Sequence, residues 1–303
     1  MALAGYAHPR YAHSLAEFGT PRALPRCGGW ILQRQIPRFP YHDGIGCYPI
    51  FTCQNWSELG SDVDALGGQL ISLSLVTDPF GEYEVVRLRR CFDVLIHFKE
   101  HFVVDLELEM NAFVSSHHRR YARKALREVD VQSCPSPARF GDELAELYTA
   151  LTKKHGIKGI PAFSRTSLAK QLEVPGMVMF RAAYGGNAIG MTLWYVLGDL
   201  GYYHLGAYSE TGYRLRASFA LFWFAIEYFA SNDLRWLNLG AGAGTAKKDS
   251  DGLTRFKQGW ATGTRTAYFC GRVLDRQRYA EITNARGISR TDYFPAYRRG
   301  EFA

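Results

Sequence analysis

The sequence predicts an α+β fold made of two related units. Three observations carry this expectation. First, 177–184, 188–197 and 201–208 are apolar, β-rich runs joined by short Gly, Asn and Asp turns, the pattern of an antiparallel meander. Second, runs with helical spacing flank them, including 138–155 with Leu144, Leu147, Tyr148 and Leu151 on one face. Third, the first half repeats the order: a helix over 54–66, strands over 70–76, 92–98 and 102–108, then a helix over 116–128. A length of 303 residues corresponds to about two domains. They are expected at 1–135 and 136–303, each a mixed, mostly antiparallel sheet flanked by helices.

The elements follow in order. Residues 1–50 are rich in Pro, Gly and aromatics and read as extended segments and loops. Trp56, Leu59, Val63 and Leu66 recur at intervals of three and four, which predicts a helix. Residues 70–76 alternate apolar and small polar side chains, and Asp78-Pro79-Phe80-Gly81 makes a turn. In 102–108, Val104, Leu106 and Leu108 face one way, while Asp105, Glu107 and Glu109 face the other. Ser115-Ser116 caps the next helix. A strand begins at 129–131, and Pro135-Ser136-Pro137 breaks the chain. After the helix 138–155, Ser164 caps a shorter helix to Leu172. The meander leads through a loop at 209–217 to a helix over 218–230. A strand at 234–239, a Gly-rich loop, a helical piece at 253–258, a strand at 264–272 and a helix opened by Asp275 complete the chain.

Composition excludes several classes. Apolar residues are 47% and charged residues 21%, so disorder, collagen and coiled coil fail as whole-chain readings. No apolar run reaches the roughly 18 residues of a membrane helix. Residues 1–13 lack the pattern of a signal peptide. The six cysteines are scattered with no C-x-x-C pair, which points to reduced thiols, a cytoplasmic protein and no metal site. The net charge is +7, unevenly placed: 15 Lys/Arg against 18 Asp/Glu in 1–150, then 21 against 11 in 151–303. A basic second half suits an anionic ligand, and serves solubility in any case.

The residues with chemical content sit in that half or just before it. Arg119, Arg120, Arg123, Lys124 and Arg127 place five positive charges in nine residues without an acid, either a ligand face or a solvated one. His117 and His118 point about 100° apart on a helix and do not easily share a metal, so a capping or substrate role suits them. Gly212-Tyr213-Arg214-Leu215-Arg216-Ala217-Ser218 sets two arginines beside a helix start, a place that favours phosphate. Tyr203, His204 and Tyr208 lie on the last strand of the meander, as core or as proton donors. The glycines of 237–244 superficially match an S-adenosylmethionine loop. However, about 60 residues remain after 239, no apolar helix follows directly, and the preceding strands are hairpin-connected, so a methyltransferase is rejected.

These segments, in this order, resemble the FemAB/BioF2-like branch of the GNAT acyltransferases, which has two tandem GNAT-like units. The resemblance is carried by the basic helix Ser116 to Ala125 and by the paired strands Arg181 to Tyr184 and Gly190 to Leu193. It is also carried by Leu237-Asn238-Leu239-Gly240, Asp251-Gly252-Leu253 and Phe256-Lys257-Gln258-Gly259-Trp260. It covers 115–265 well and 1–110 weakly. It implies N-acyl transfer from an activated donor, acyl-CoA first and aminoacyl-tRNA as the alternative, to a small-molecule or peptide amine, with no metal. No long heptad arm is present, which favours acyl-CoA.

The resemblance implies donor phosphates at Arg214, Arg216, Ala217 and Ser218, although the family's central glycine is missing there. It marks Lys257 as a donor or substrate contact. With it, Tyr208 and His204 form the expected catalytic set, and His117, His118, Arg119, Arg120, Tyr203 and Glu107 the expected substrate set. Glu107, Glu109 and His204 are candidate bases. The acceptor is expected to enter between the units. A degenerate unit that only binds nucleic acid or a protein partner is the reading outside enzymes.

Overall fold

The computed structural model describes residues 3–242, 252–288 and 291–301. Along the chain, helix α1 (Pro9–Ser14) precedes strands β1 (Thr20–Leu24), β2 (Gly29–Gln35) and β3 (His42–Gly46). Then come α2 (Leu59–Ala65), β4 (Ser72–Val76), α3 (Val85–Cys91) and β5 (Val94–Asp105). Helices α4 (Met110–Phe113) and α5 (Ser116–Ala125), strand β6 (Asp130–Ser133) and helices α6 (Gly141–His155) and α7 (Arg165–Leu172) lead into the meander. That meander is β7 (Met177–Tyr184), β8 (Asn187–Leu197) and β9 (Leu200–Tyr208). It is followed by α8 (Glu210–Arg214), α9 (Ala217–Ala230), β10 (Trp236–Gly240), α10 (Gly252–Gln258), β11 (Gly263–Val273) and α11 (Arg276–Ala285).

The fold is α+β, with a mixed, mostly antiparallel sheet of eleven strands flanked by helices. Parallel pairing occurs between β3 and β4 and between β9 and β10. The sheet does not resolve into two separate tandem sheets, because β5 and β11 each change unit partway along their length.

The chain divides into two compact units. The first consists of Met1–Gly5, Glu100–Ile157 and Leu168–Arg265. The second consists of Tyr6–Lys99, Lys158–Ser167 and Thr266–Ala303. Residue 135 falls inside the first. The second unit contains β1–β4, and its core gathers Ile31, Phe51, Trp56, Leu73 and Cys270. There Arg298 binds the fully buried Asp43 carboxylate at 2.5 and 2.9 Å.

Three strands, β1–β3, lie within 1–50, where the sequence predicts extended segments and loops without defined strands, and they pair antiparallel in the register Ile31↔Gly46 and Arg22↔Ile31. β1 carries Pro21 and β3 carries Gly44 and Gly46, and β2 lacks a regular apolar alternation, so long-range pairing defines them. The segments expected at 92–98 and 102–108 are one strand, β5, and it ends at Asp105. Leu106 to Glu109 therefore lie beyond the strand, and Glu107 and Glu109 do not share a strand face. Helix α3 was also not evident, since Val85-Val86-Arg87-Leu88 has little periodicity.

In the first unit, α9 packs across the sheet. It is apolar nearly all round, and Ala217, Leu221, Phe222, Ala225, Ile226 and Phe229 are buried with Trp194, Leu237, Leu239 and Trp260. A helix without a polar face is held by burial on several sides rather than by propensity. Gly212 lets α8 lie on β8: a Cβ there would sit 2.0 Å from the Ile189 carbonyl oxygen.

Candidate active site

The site starts from a parting of strands. Parallel pairing of β9 and β10 holds for Leu200↔Trp236, Gly201↔Leu237 and Tyr202↔Asn238 only. Beyond Tyr202, β9 runs on to Tyr208 with β8 as its ladder partner, while β10 shifts register against β5 between Asn238 and Gly240. A V-shaped opening results, with Tyr202 and Asn238 at its apex. Among the described residues, the edge of β9 facing it beyond Tyr202 presents main-chain groups without a strand partner. Such an edge accepts an extended, amide-bearing chain by adding hydrogen bonds along it.

A bulge decides which side chains flank the opening. Leu205 pairs with Leu193 and Tyr203 with Trp194, so His204 is an extra residue in β9. Five positions apart, Tyr203 and Tyr208 belong on opposite faces of a regular strand. The inserted residue puts them on the same face. A Cβ on Gly206 would lie 2.0 Å from Tyr203 Oη and 2.9 Å from Tyr208 Oη, so the two phenols converge over this glycine.

The Tyr208 hydroxyl is buried against the Tyr203 hydroxyl, which is near enough to interact with it but does not complete a hydrogen bond. Burial, and after it the neighbouring Tyr203, holds its phenol well above the ordinary value, so it is protonated at neutral pH. Burial raises Tyr203 as well. Lys257, on α10 and buried, brings its Nζ to 5.6 Å from the centre of the Tyr203 ring and donates to the Ala241 carbonyl at 2.6 Å. The sequence-predicted Tyr203, Tyr208 and Lys257 are thus brought together.

His204 is not with them. Its ring lies 5.0 Å from that of Tyr195, and its Nε2 is 2.7 Å from Gln171 Oε1. Tyr195 follows Trp194 on β8, and Trp194 packs on Tyr203 and Phe222. By alternation, His204 lies on the opposite face of the sheet from Tyr203. Burial pushes its pKa down to about 3, so it is neutral and weakly basic.

The basic helix is divided in its roles. Ser115 caps α5 by accepting from the His118 N–H at 3.2 Å. His118 Nε2 lies 2.9 Å from the Phe256 carbonyl oxygen and Nδ1 2.8 Å from Ser115 Oγ. A carbonyl only accepts, so Nε2 carries the proton and Nδ1 accepts from Ser115. Burial lowers the His118 pKa, in keeping with a neutral ring. His118 therefore ties the start of α5 to α10.

His117 is exposed, 4.2 Å from the Tyr121 ring. Arg119 donates to the carbonyls of Asn111 and Val114, each at 2.7 Å. Glu107 is exposed and ion-paired with Arg235. Ser116, Arg119, Arg120, Arg123, Lys124 and Arg127 line a groove of about 520 Å³.

One ring links α5 to the start of α9. The Tyr121 ring has Arg120 at 5.3 Å and Arg216 at 4.2 Å. Arg216 is the N-cap of α9 and offers no side-chain cap, leaving the first N–H groups at Ala217 and Ser218 to another acceptor. Its backbone is left-handed, with φ 58° and ψ 39°, the conformation a glycine adopts most readily. Arg214 ends α8 and is exposed.

Sequence reasoning missed Asn238 and His101. Asn238 is 1% exposed; its Oδ1 accepts from the Gly240 N–H at 2.8 Å and lies 3.1 Å from His101 Nδ1. The signal was present, because a lone Asn between Leu237 and Leu239 in an apolar strand demands a buried partner. Among the described residues there is no cluster of three metal-ligating side chains, and no helix is long and apolar enough to cross a membrane. Ala243, Gly244, Lys247, Lys248, Asp249 and Asp251 lie outside the described residues.

The acetyltransferase (GNAT) domain family profile matches residues 113–257. Solved structures are similar over nearly the whole chain. FemX is 14% identical, with 90% of this chain and 93% of that one covered at a TM-score of 0.64. A C-terminal DUF2156 domain from Agrobacterium fabrum is 14% identical, covering 92% and 93% at 0.65. L-PGS from Bacillus licheniformis is 14% identical, covering 96% and 100% at 0.61. At such identity the likeness is one of fold. No curated protein matches the sequence. Over residues 113–257 the chain is therefore similar to the acetyltransferase (GNAT) domain family, and over nearly its whole length it shares the fold of these structures.

Proposed function

We propose that this protein is an N-acyltransferase of the FemAB/BioF2-like kind that moves an acyl group from acyl-CoA to an amine. The parting of β9 and β10, with Tyr203, Tyr208 and Lys257 beside it, is the observation that carries the reading. The donor's amide-bearing arm lies along the free edge of β9. Its phosphates meet the open N–H groups at Ala217 and Ser218, with Arg216 and Arg214 as counter-charges.

The amine attacks the thioester carbonyl directly. As the tetrahedral species collapses, the C–S bond breaks and Tyr208 gives its proton to sulfur. The new amide nitrogen loses a proton in turn, which restores the phenol. Lys257 holds a positive charge beside the two phenols and opposes the cost of any transient phenolate. In this reading 1–135 and 136–303 are related units, the acceptor is a small-molecule or peptide amine, and the protein works in the cytoplasm.

A second donor, aminoacyl-tRNA, is favoured by one observation: Arg119, Arg120, Arg123, Lys124 and Arg127 line one groove, more cations than a coenzyme's few phosphates require. Isothermal titration with acetyl-CoA, a longer acyl-CoA and an aminoacyl-tRNA tests both. Binding of none overturns the proposal. A steep fall of affinity with salt, and loss of turnover on ribonuclease treatment, selects the RNA donor. Arg214→Glu with Arg216→Glu abolishes turnover in an enzyme, whereas a protein that only binds nucleic acid merely loses affinity.

A further inference from the structure

We infer that Asn238 is a catalytic residue whose side-chain amide donates to the acyl carbonyl oxygen, with His101 as the residue that positions it. This rests on the acyl-transfer reading above and adds to it a donor for the developing oxyanion. Asn238 is the last residue of β10 paired with β9, so it stands at the apex of the opening. An acyl group at the end of an arm lying in the V reaches that apex.

The orientation of the amide is fixed. Its Oδ1 accepts from the Gly240 N–H at 2.8 Å, which can only donate, so Oδ1 and Nδ2 cannot be exchanged. His101 Nδ1, 3.1 Å from the same oxygen, then acts as a second donor. Nδ2 is left buried with no partner among the described residues. The residue is 1% exposed, so water does not readily serve that group. A donor held by its own carbonyl, and aimed at nothing in the resting protein, is the arrangement of a preorganised oxyanion site.

The faces agree with this. Leu237 and Leu239 are buried in the core with Phe222, Phe229 and Trp260. Asn238, between them, points to the other side of the sheet. A carbonyl at the apex therefore has Tyr203 and Lys257 toward one face and the Asn238 amide toward the other. The sulfur is protonated from one side while charge on oxygen is met from the opposite side.

Asn238→Asp is the sharpest variant. It keeps an oxygen for the Gly240 and His101 donors and puts a carboxylate oxygen where the Nδ2 donor stood, which repels rather than meets a developing oxyanion. The expected result is a fall in kcat of about 10²–10³-fold, with affinity for a non-reactive ketone analogue of acyl-CoA kept within about threefold. A measurement on the unaltered protein stands beside it: the Asn238 side-chain amide proton moves downfield when that analogue binds. His101→Phe is expected to lower kcat less than Asn238→Asp, and His101→Gln to restore part of that loss. If Asn238→Asp keeps kcat within about threefold, or the amide resonance does not move on binding, the inference is overturned and the acyl-transfer reading stands. If the unaltered protein neither binds nor turns over any acyl donor, both fall together.

Discussion

Replacing Tyr208 by Phe separates the cost of the site from its use. The Tyr208 hydroxyl is buried with only the Tyr203 phenol beside it, close enough to interact but short of a complete hydrogen bond. Leaving such a group unpaired costs a fold about 1–3 kcal/mol. Phe fills nearly the same volume, so removing the oxygen relieves most of that cost and leaves almost no cavity. Tyr208→Phe is therefore expected to stabilise the protein by about 1 kcal/mol, taking the low end because Tyr203 stands close by. That is a rise of about 2 °C in Tm for a chain of this size.

The same change removes the proton donor for the leaving group, for which a loss of about 10²–10⁴ in kcat is expected. Urea titration followed by tryptophan fluorescence reads the first effect, and initial rates with saturating donor read the second. The two signs must oppose each other. A variant that loses 1 kcal/mol or more would show that the hydroxyl has a partner in the fold. A variant that keeps its kcat would remove Tyr208 from the chemistry.

Further expectations follow from the same geometry. His204 has its pKa pushed down to about 3 from 6.5, so the unfolded chain takes up a proton first as pH falls. Stability is then lost from about pH 6.5 down toward 3, with a slope near 1.4 kcal/mol per pH unit for this group, and His204→Gln should flatten that limb of the urea-melt profile. Buried His118, also lowered, adds to the loss in the same direction. Arg216→Gly should raise stability by about 1 kcal/mol by relieving the left-handed backbone, while weakening donor binding measured by titration. Gly212→Ala should lower stability by about 1–3 kcal/mol, because its Cβ meets the Ile189 carbonyl at 2.0 Å and backbone has to move. Ser115→Ala should cost about 1 kcal/mol through loss of the α5 cap, read as a lower urea midpoint.

Most of the second half of the fold could be read from local chemistry. The turns Gly185-Gly186 and Gly198-Asp199 set the β7–β8–β9 meander, and the capping residues Ser115 and Asp275 fall where the structure has them. Ser164 Oγ likewise accepts from the Ser167 N–H at the start of α7. These features are decided within a few residues. The first half was less legible because β1, β2 and β3 depend on partners up to tens of residues away, and Pro21 in β1 and the glycines of β3 mask alternation there.

The limit on reading the site was of a different kind. Tyr203, His204 and Tyr208 were all singled out, yet strict alternation puts His204 and Tyr208 on one face and Tyr203 on the other. One inserted residue reverses that, joining Tyr203 to Tyr208 and sending His204 against Gln171. Nothing in the side chains of β9 announces the bulge. It is set by the register with β8, where Trp194 and Leu193 take Tyr203 and Leu205 as partners. A strand residue's chemistry can be named from its type, but its place in a site depends on the ladder beside it. The same holds for Asn238: its type marks it as a group needing a partner, and only the parting of β9 from β10 shows where an incoming one would be.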